Sequence, residues 1–497
     1  MKIVKRIENF IDNAICIFAP IYGQKRKAAR YILSYQSALA NRLRTDWVLG
    51  ASESADSELL PVLDVLRNQS RELRRNNGII SGILNTFTTH IVGHGISYYP
   101  QLNEKRLGLS PDQKTELEYQ IKKIWKKHSK YLDLTARLHF REIQHLIIRK
   151  ILEDGEIFLV RHYRERPYAP LGLCFEIVEA DRVETPPNAS ATKDIRRGIE
   201  LNKDGEPVKY YILKTHPGDA SDNNQEFATI PARDEKGEPL VYHLYWQLRP
   251  GQTRGEPWFT PILNLMYDLS RYREAEVVAA RIAACFAAFI KSENAPFYQI
   301  RATEEEDSKR VEQFYPGMIE YLRPGEDVVV ADPKRPNPNL DKFIEQIVRE
   351  IGASLGLPYE LVMKDFSKTN YSSARAAINE AIKLFKYWQV WLIDYFCQPV
   401  LELVLEEAWA KNLFPVYDFL EKKDEYCNAN WTPPGWRSVD PLKESNAKKT
   451  NLMYGTTTLA DIAAEEGKDW EELLEQQKRE QEKRQELGLE YPMFGGK

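Results

Sequence analysis

Histidines, carboxylates and cysteines are where chemistry would first be sought in this chain of 497 residues. His90 and His94 stand four apart, a spacing that puts two imidazoles on one helix face as a metal site would need. They flank Val92-Gly93 at an expected helix end, however, and no acidic residue stands near them in sequence. His139 and His145 are six apart and share a helix face poorly. Glu304, Glu305, Glu306 and Asp307 form a run of carboxylates, but consecutive carboxylates on a helix point in different directions and are usually solvated. The five cysteines, Cys16, Cys174, Cys285, Cys397 and Cys427, are odd in number, far apart and without a Cys-x-x-Cys pair. That pattern argues against structural zinc and a disulfide framework, and fits synthesis in a reducing cytoplasm. No stretch matches GxxxxGK[ST], HExxH or GxSxG. The expectation is a chain with no catalytic residue, no metal, no cofactor and no ATP-driven motor of its own.

The elements around these residues fit two to four domains at this length. Residues 1–45 are basic and partly apolar, with Lys25, Arg26, Lys27, Arg30, Arg42 and Arg44, and read as a surface arm or a docking arm. Residues 56–90 read as helix, with an Arg-rich polar turn after Leu66. Helices are also expected over 111–130, rich in Lys and Glu, and over 140–153, where Ile143, Leu146, Ile147 and Ile151 repeat at helical spacing. The period then changes. Glu156–His162, Leu173–Val183 and Val241–Leu248 read as strands. Ile199–Leu201 and Val208–Leu213 read as a hairpin, because Asp204-Gly205 supplies the positive φ of a tight turn. The segment 216–238 reads as a surface loop. Residues 46–256 thus form a mixed α/β domain.

From Pro261 the pattern is helical again, to about residue 290, roughly 40 Å of helix at 1.5 Å per residue. Ala279, Ala283 and Ala287 make one stripe and Ala280, Ala284 and Ala288 the next, small residues that let another helix approach closely. The most apolar run, Val277–Ile290, carries Arg281 and is short for a membrane span. Residues 292–338 form a small α/β insertion, with short strands at Met318–Leu322 and Asp327–Val330 and a Pro-rich connector, Asp332–Pro338. Leu340, Phe343, Ile344, Ile347, Val348 and Ile351 lie on one face of the helix that follows, and Gly356 and Pro358 end it. A polar loop, Lys364–Asn370, leads to a long helix capped by Asn370 or Ser372. Pro399 should kink or end that helix. Thr458 with Asp461 makes a capping-box start. The fold class is α+β, mainly helical.

Charge narrows the function. Lys and Arg number 69 against 73 Asp and Glu, a formal net charge of -4. A free nucleic-acid binder shows a basic excess, so any DNA contact should be confined to a small surface.

Several motifs, in this order, resemble lambda-type portal proteins of tailed phages. They are Arg75-Asn76-Asn77-Gly78 with His90-Ile91-Val92-Gly93; Gly255-Glu256-Pro257-Trp258 leading to Tyr272-Arg273-Glu274-Ala275-Glu276; Lys364-Asp365-Phe366-Ser367-Lys368-Thr369-Asn370-Tyr371-Ser372-Ser373-Ala374-Arg375; and Val439-Asp440-Pro441 with Lys443-Glu444, then Gly455-Thr456. The likeness runs from about 45 to 485 and leaves the first 40 residues uncovered. It implies a portal fold: an arm (1–45), an α/β wing (46–256), a first stem helix (257–291), a clip (292–338), a second stem helix (339–356), a tunnel loop (357–373), a long wing helix (374–411) and a C-terminal wing and crown region (412–497). It implies a homo-oligomeric ring of about twelve subunits closed by one repeated interface, at one capsid vertex of the virion and assembled in the host cytoplasm. The implied partners are further copies of the chain, double-stranded DNA in the channel, terminase, the head–tail connector protein and the major capsid or scaffold protein, with no membrane.

Each phosphate neutralised by Lys or Arg adds affinity, so a continuous basic groove would hold a polyanion that must slide. Lys364 and Lys368 are therefore the expected DNA-facing residues. Arg375 is the weaker candidate and could instead pair with a carboxylate. A nuclease-like enzyme and a capsid or scaffold component without a channel are the competing readings.

Overall fold

A computed structural model describes residues 53–189, 193–219, 226–284, 288–292, 326–330, 340–436, 441–465 and 470–489. The basic arm, the carboxylate run at 304–307, the strand expected at Met318–Leu322, the Pro-rich connector and Ala287 lie outside these residues. The chain divides into two compact units, Met1–Glu58 and Leu59–Lys497. Of the first, only the start of a short helix, α1 (Ala55–Leu59), is described.

The second unit begins with α2 (Leu63–Asn76) and α3 (Gly78–Ile91). The single helix expected here is broken at Asn77, whose side chain accepts from the N–H groups of Ile79 and Ile80 and so starts α3. Strand β1 (Ser97–Pro100), α4 (Glu104–Leu107) and α5 (Pro111–His128) follow. Helix α6 (Phe140–Asp154) buries Ile143, Ile147, Ile148 and Ile151 and ends on Gly155 at φ 88. The chain then turns directly into β2 (Glu156–Tyr163), whose first six residues are all buried.

Strand β2 is the centre of a three-stranded antiparallel sheet with β3 (Leu173–Val178) and β8 (Val241–Tyr245) at its edges. A four-stranded sheet runs β4 (Asp194–Arg196), β5 (Ile199–Leu201), β6 (Pro207–Leu213), β7 (Phe227–Pro231). The β5–β6 hairpin turns at Gly205, φ 84, as Asp-Gly requires. The segment expected to be a loop contributes β7, paired with β6 from Lys209–Pro231 to Leu213–Phe227. Its backbone bonds are made by the ladder, which no polar composition rules out.

Helix α7 (Leu263–Ala284) does not run to the expected end near residue 290, because β9 (Ala288–Ser292) pairs antiparallel with β10 (Glu326–Val330). Ala288 therefore belongs to a strand and not to the alanine stripe. Phe289 and Ile290 stand in register with Val329 and Val328 in the ladder, and a strand partner about forty residues along the chain overrides the helical preference of an alanine run.

Helices α8 (Leu340–Leu355), α9 (Tyr359–Met363) and α10 (Tyr371–Leu392) come next. Beyond α10 the chain widens into one π turn, Ile393–Cys397, and continues as α11 (Gln398–Ala410). Pro399, at the start of α11, thus does not end the helical path, and the irregularity stands in the π turn just before it. After α12 (Lys423–Tyr426), β11 (Ala429–Thr432) pairs with β1, placing Tyr98 opposite Trp431. Helices α13 (Pro441–Tyr454), α14 (Leu459–Glu465) and α15 (Trp470–Glu486) complete the described chain. Thr458 and Asp461 make the reciprocal capping bonds that start α14, at 2.9 and 3.1 Å.

An ionic knot joins these elements at the α6–β2 turn. The stretch expected as an Arg-rich turn is helical, and Arg67, Arg71 and Arg74 reach acids of other elements while Arg75 stays exposed. Arg71 binds Asp154 at 2.7 Å and Asp181 at 2.5 Å, and Arg74 binds Glu153. The Glu156 carboxylate accepts from Arg67, from Arg254 Nε at 2.7 Å, from the Gly255 N–H at 2.7 Å and from His243 at 2.8 Å. Burial would push this carboxyl up, but Arg254, Arg67 and the His243 hydrogen bond hold it well below the usual glutamate range. Burial lowers His243 more than Glu156 raises it. Arg254 also donates to the Ala180 and Val183 carbonyls, at 2.9 and 3.0 Å. Gly155 and Gly255 cross in direct contact: a Cβ on Gly255 would meet the Gly155 main chain, and one on Gly155 would lie 2.6 Å from the Gly255 carbonyl.

Glu156→Gln leaves two buried guanidinium groups undercompensated and should cost about 3–5 kcal/mol in urea unfolding. A depressed carboxylate contributes its full stability above the unfolded pKa and loses it as pH falls through the native value. The gap between wild type and variant should therefore persist to below the ordinary glutamate pKa of 4.5; a gap already closed at about pH 5 would refute the assignment. Gly255→Ala should be at least as damaging, since backbone rather than a pliable side chain blocks the methyl.

Candidate functional site: the loop at 364–370 and the helices beside it

Helices α7 and α8 touch through Tyr272 and Phe343, rings 5.2 Å apart and edge-on. At its far end α8 buries Val348, Ile351, Gly352 and Leu355. Gly352 is required there, since a Cβ would strike the Leu357 carbonyl oxygen. Gly356 at φ 72 turns the chain, and α9 delivers it to the loop.

Lys364 opens the loop in the left-handed region, φ 56, a costly conformation for a residue with a Cβ. The loop is fastened by its own polar groups. Asp365 accepts from the Ser367 N–H at 2.9 Å, and the Thr369 hydroxyl donates to the Phe366 carbonyl at 3.1 Å. Asn370, not Ser372, caps α10 by accepting from the Ser373 N–H at 2.9 Å.

Its three basic candidates differ. Lys368 binds Glu345 of α8 at 2.8 Å, and Arg349 binds the same carboxylate at 2.7 Å. The Lys368 hydrogen bond raises the lysine and lowers Glu345. Lys364 is exposed and has no ion pair among the described residues. Its charge, after burial, helps lower His90. Arg375, early in α10, is exposed and likewise makes no ion pair among the described residues, so the carboxylate considered for it is not found there.

His90 is built into the support beneath the loop. Its ring stacks on Phe385 at 4.9 Å with planes 6° apart, and its Nδ1 accepts from the Trp436 indole at 3.0 Å. That engaged nitrogen gives it a structural job, and burial lowers its pKa. Gln389 ties α10 to the end of α3 by donating to the carbonyls of His90 and Ile91, at 3.1 and 3.2 Å. His145 lies 2.8 Å from the Gly93 carbonyl. Among the described residues no group of three or more His, Cys, Asp or Glu is placed to hold a metal, and no helix is long and apolar enough to cross a membrane.

Of the small residues on α7, Ala279 is half-buried and Ala280 exposed, beside Val277 and Val278 at 51% and 46% exposure. Ala283 and Ala284 complete the helix. Sequence reasoning missed Glu345 as the partner of Lys368, because a pair 23 residues apart leaves no periodic trace.

The model of the family described as phage portal protein, lambda family, matches residues 40–389. The probable portal protein of Halomonas phage phiHAP-1 is 26% identical over 478 residues, covering 94% of this chain and 90% of its own. Portal protein B of Escherichia phage lambda is 23% identical over 472 residues, covering 89% and 88%. A solved chain from the virion of a native gene transfer agent particle aligns over 83% of this chain and 94% of its own, at 13% identity and a TM-score of 0.42. With a family match spanning well over half of its length, this chain belongs to the lambda family of phage portal proteins.

Proposed function

We propose that the chain is one subunit of a closed ring of about twelve identical copies, set at one capsid vertex, through which duplex DNA enters the head and later leaves it. The family match carries this reading. The structure supports it with a surface that a lone subunit leaves uncovered: beyond Tyr272, α7 exposes Val277, Val278 and Ala280 together. Exposed valines on a helix are favourable positions for a cover, and the small residues Ala279 and Ala280 allow a neighbour's helix to come close.

In this reading residues 257–284 and 339–356 are stem helices, and the segment between them is the clip that meets terminase during packaging and the head–tail connector afterwards. The β9–β10 ladder is then the base of the clip. Residues 357–373 are the tunnel loop, and 46–256, 374–411 and 412–497 make the wing and crown. The chain does no chemistry of its own; the force that moves DNA comes from the terminase. Assembly takes place in the host cytoplasm and the finished ring resides in the virion.

The loop suits passage of a polyanion because its cations are few and one is already committed. Lys368 is shared with Glu345, leaving Lys364 and Arg375 as the charges available to phosphates. Repeated around a ring, a few weak contacts can steady DNA without the tight hold of a continuous basic groove.

Electron microscopy of the purified chain should show closed rings with a central hole; monomers or solid aggregates at assembly-competent concentration would end the proposal. Lys364→Ala with Arg375→Ala should reduce packaged or retained DNA while rings still form. Normal packaging and retention in that double variant would remove the loop from the mechanism.

A further inference from the structure

Helix α5 carries a cationic face that the channel reading does not use. Lys123, Lys126 and Lys127, with Lys130 just past the helix end, follow the three- and four-residue spacing that aligns side chains along one face. All four are exposed. Tyr119, one turn earlier and 60% exposed, extends the row, and the Lys123 ammonium lies 5.9 Å from its ring centre. The opposite face, with Leu117, Ile121, Ile124 and Trp125, is buried.

Among the described residues none of these four lysines has an ion pair or a hydrogen bond. Elsewhere several exposed helical cations bind a carboxylate three or four residues away, as Lys383 does Glu380, Lys483 Glu486, Arg271 Glu274 and Arg349 Glu345. Others, such as Lys386 and Lys478, stand without an ion pair among the described residues. Helix α5 differs in setting four unpaired lysines in one row. The chain has 73 acids for 69 cations, so composition does not explain the lack. The helix dipole favours cations in the last turn and accounts for Lys126 and Lys127, but not for an unneutralised Lys123 a turn earlier. Like charges at this spacing repel one another and slightly destabilise the helix.

The row from Lys123 to Lys130 is about 10 Å long at 1.5 Å per residue. Fixed charges in a line over that length match a partner that is itself a line of charge, not a single phosphate or carboxylate. Duplex DNA presents about one charge per 1.7 Å of axis. We propose that this face of α5 is a second contact for duplex DNA, binding the phosphate backbone of DNA that lies against the subunit, distinct from the loop at 364–370. The choice of duplex DNA as the polyanion rests on the portal reading; the existence of an anion-binding face does not.

The test is binding of a short duplex to the purified full chain across a salt series, for wild type and for the variant with Lys123, Lys126, Lys127 and Lys130 all changed to Gln. If all four meet phosphates, the slope of log affinity against log salt should fall by roughly 3 to 4, at about 0.9 per phosphate contact. The double variants Lys123→Gln/Lys127→Gln and Lys126→Gln/Lys130→Gln should each lose about half of that, which keeps the test intact if the quadruple variant melts early. Lys383→Gln with Lys386→Gln is the control for net charge alone. An unchanged slope in the stripe variants overturns the proposal, as does loss of binding to polyglutamate with DNA binding intact, which would assign the face to an acidic protein. Failure of ring closure in the microscope would sink the portal reading and leave this comparison of slopes standing.

Discussion

The Glu156 carboxylate is the point on which the second unit is hung. It is buried with four donors around it, from three stretches of chain: Arg67 from α2, His243 from β8, and Arg254 and the Gly255 N–H from the segment that leads to α7. A buried charge is tolerated only when its partners fix it closely, so none of these segments can shift alone. The contact of Gly155 with Gly255 enforces the same crossing sterically, as there is room only for bare backbone. The direction in which α7 leaves the sheet is therefore set at its root by electrostatics and by two glycines, before any neighbour is present.

From that root an aromatic layer carries the order outward. Trp388 is fully buried, 5.3 Å from Trp258 and 6.1 Å from Phe87, both edge-on. Phe385, one turn earlier on α10, stacks with His90. Rings in edge-on contact add about 0.5–1.5 kcal/mol per pair beyond the area they bury, and they resist sliding because their shapes interlock. The loop at 364–370 stands between α9, which packs on α3, and α10, which packs on the same aromatic layer. Its position is inherited from rigid elements on both sides, while its exposed lysines stay free of the core.

Charge is distributed with a similar division of labour. Arg71 and Arg74 of α2 are used against the fold's own acids, bound to Asp154, Asp181 and Glu153. On the surface some helical cations are paired on their own helix, as Lys383 is with Glu380 and Lys483 with Glu486. Among the cations without an ion pair in the described residues, two groups stand close together: Lys364 and Arg375 beside the loop, and the row on α5. In a ring of repeated subunits each group would recur around the axis, so weak individual charges become circular bands.

Sequence alone determined the helices and strands whose periodicity is long or whose turn chemistry is specific. Helix α6, strand β2, the Asp204-Gly205 hairpin and the Thr458 cap all follow from neighbours within a few residues, so local pattern was sufficient. The ordered motifs also pointed to the family. Tertiary structure decided the rest. It turned an expected loop into β7, ended α7 before Ala288, and carried the helical path through Pro399, because strand pairing and packing involve partners far along the chain. The motif glycine Gly255 could be seen in the sequence, but its reason, contact with Gly155 a hundred residues earlier, could not. The same holds for Lys368, whose charge is read directly and whose commitment to Glu345 exists only once α8 and the loop are folded side by side.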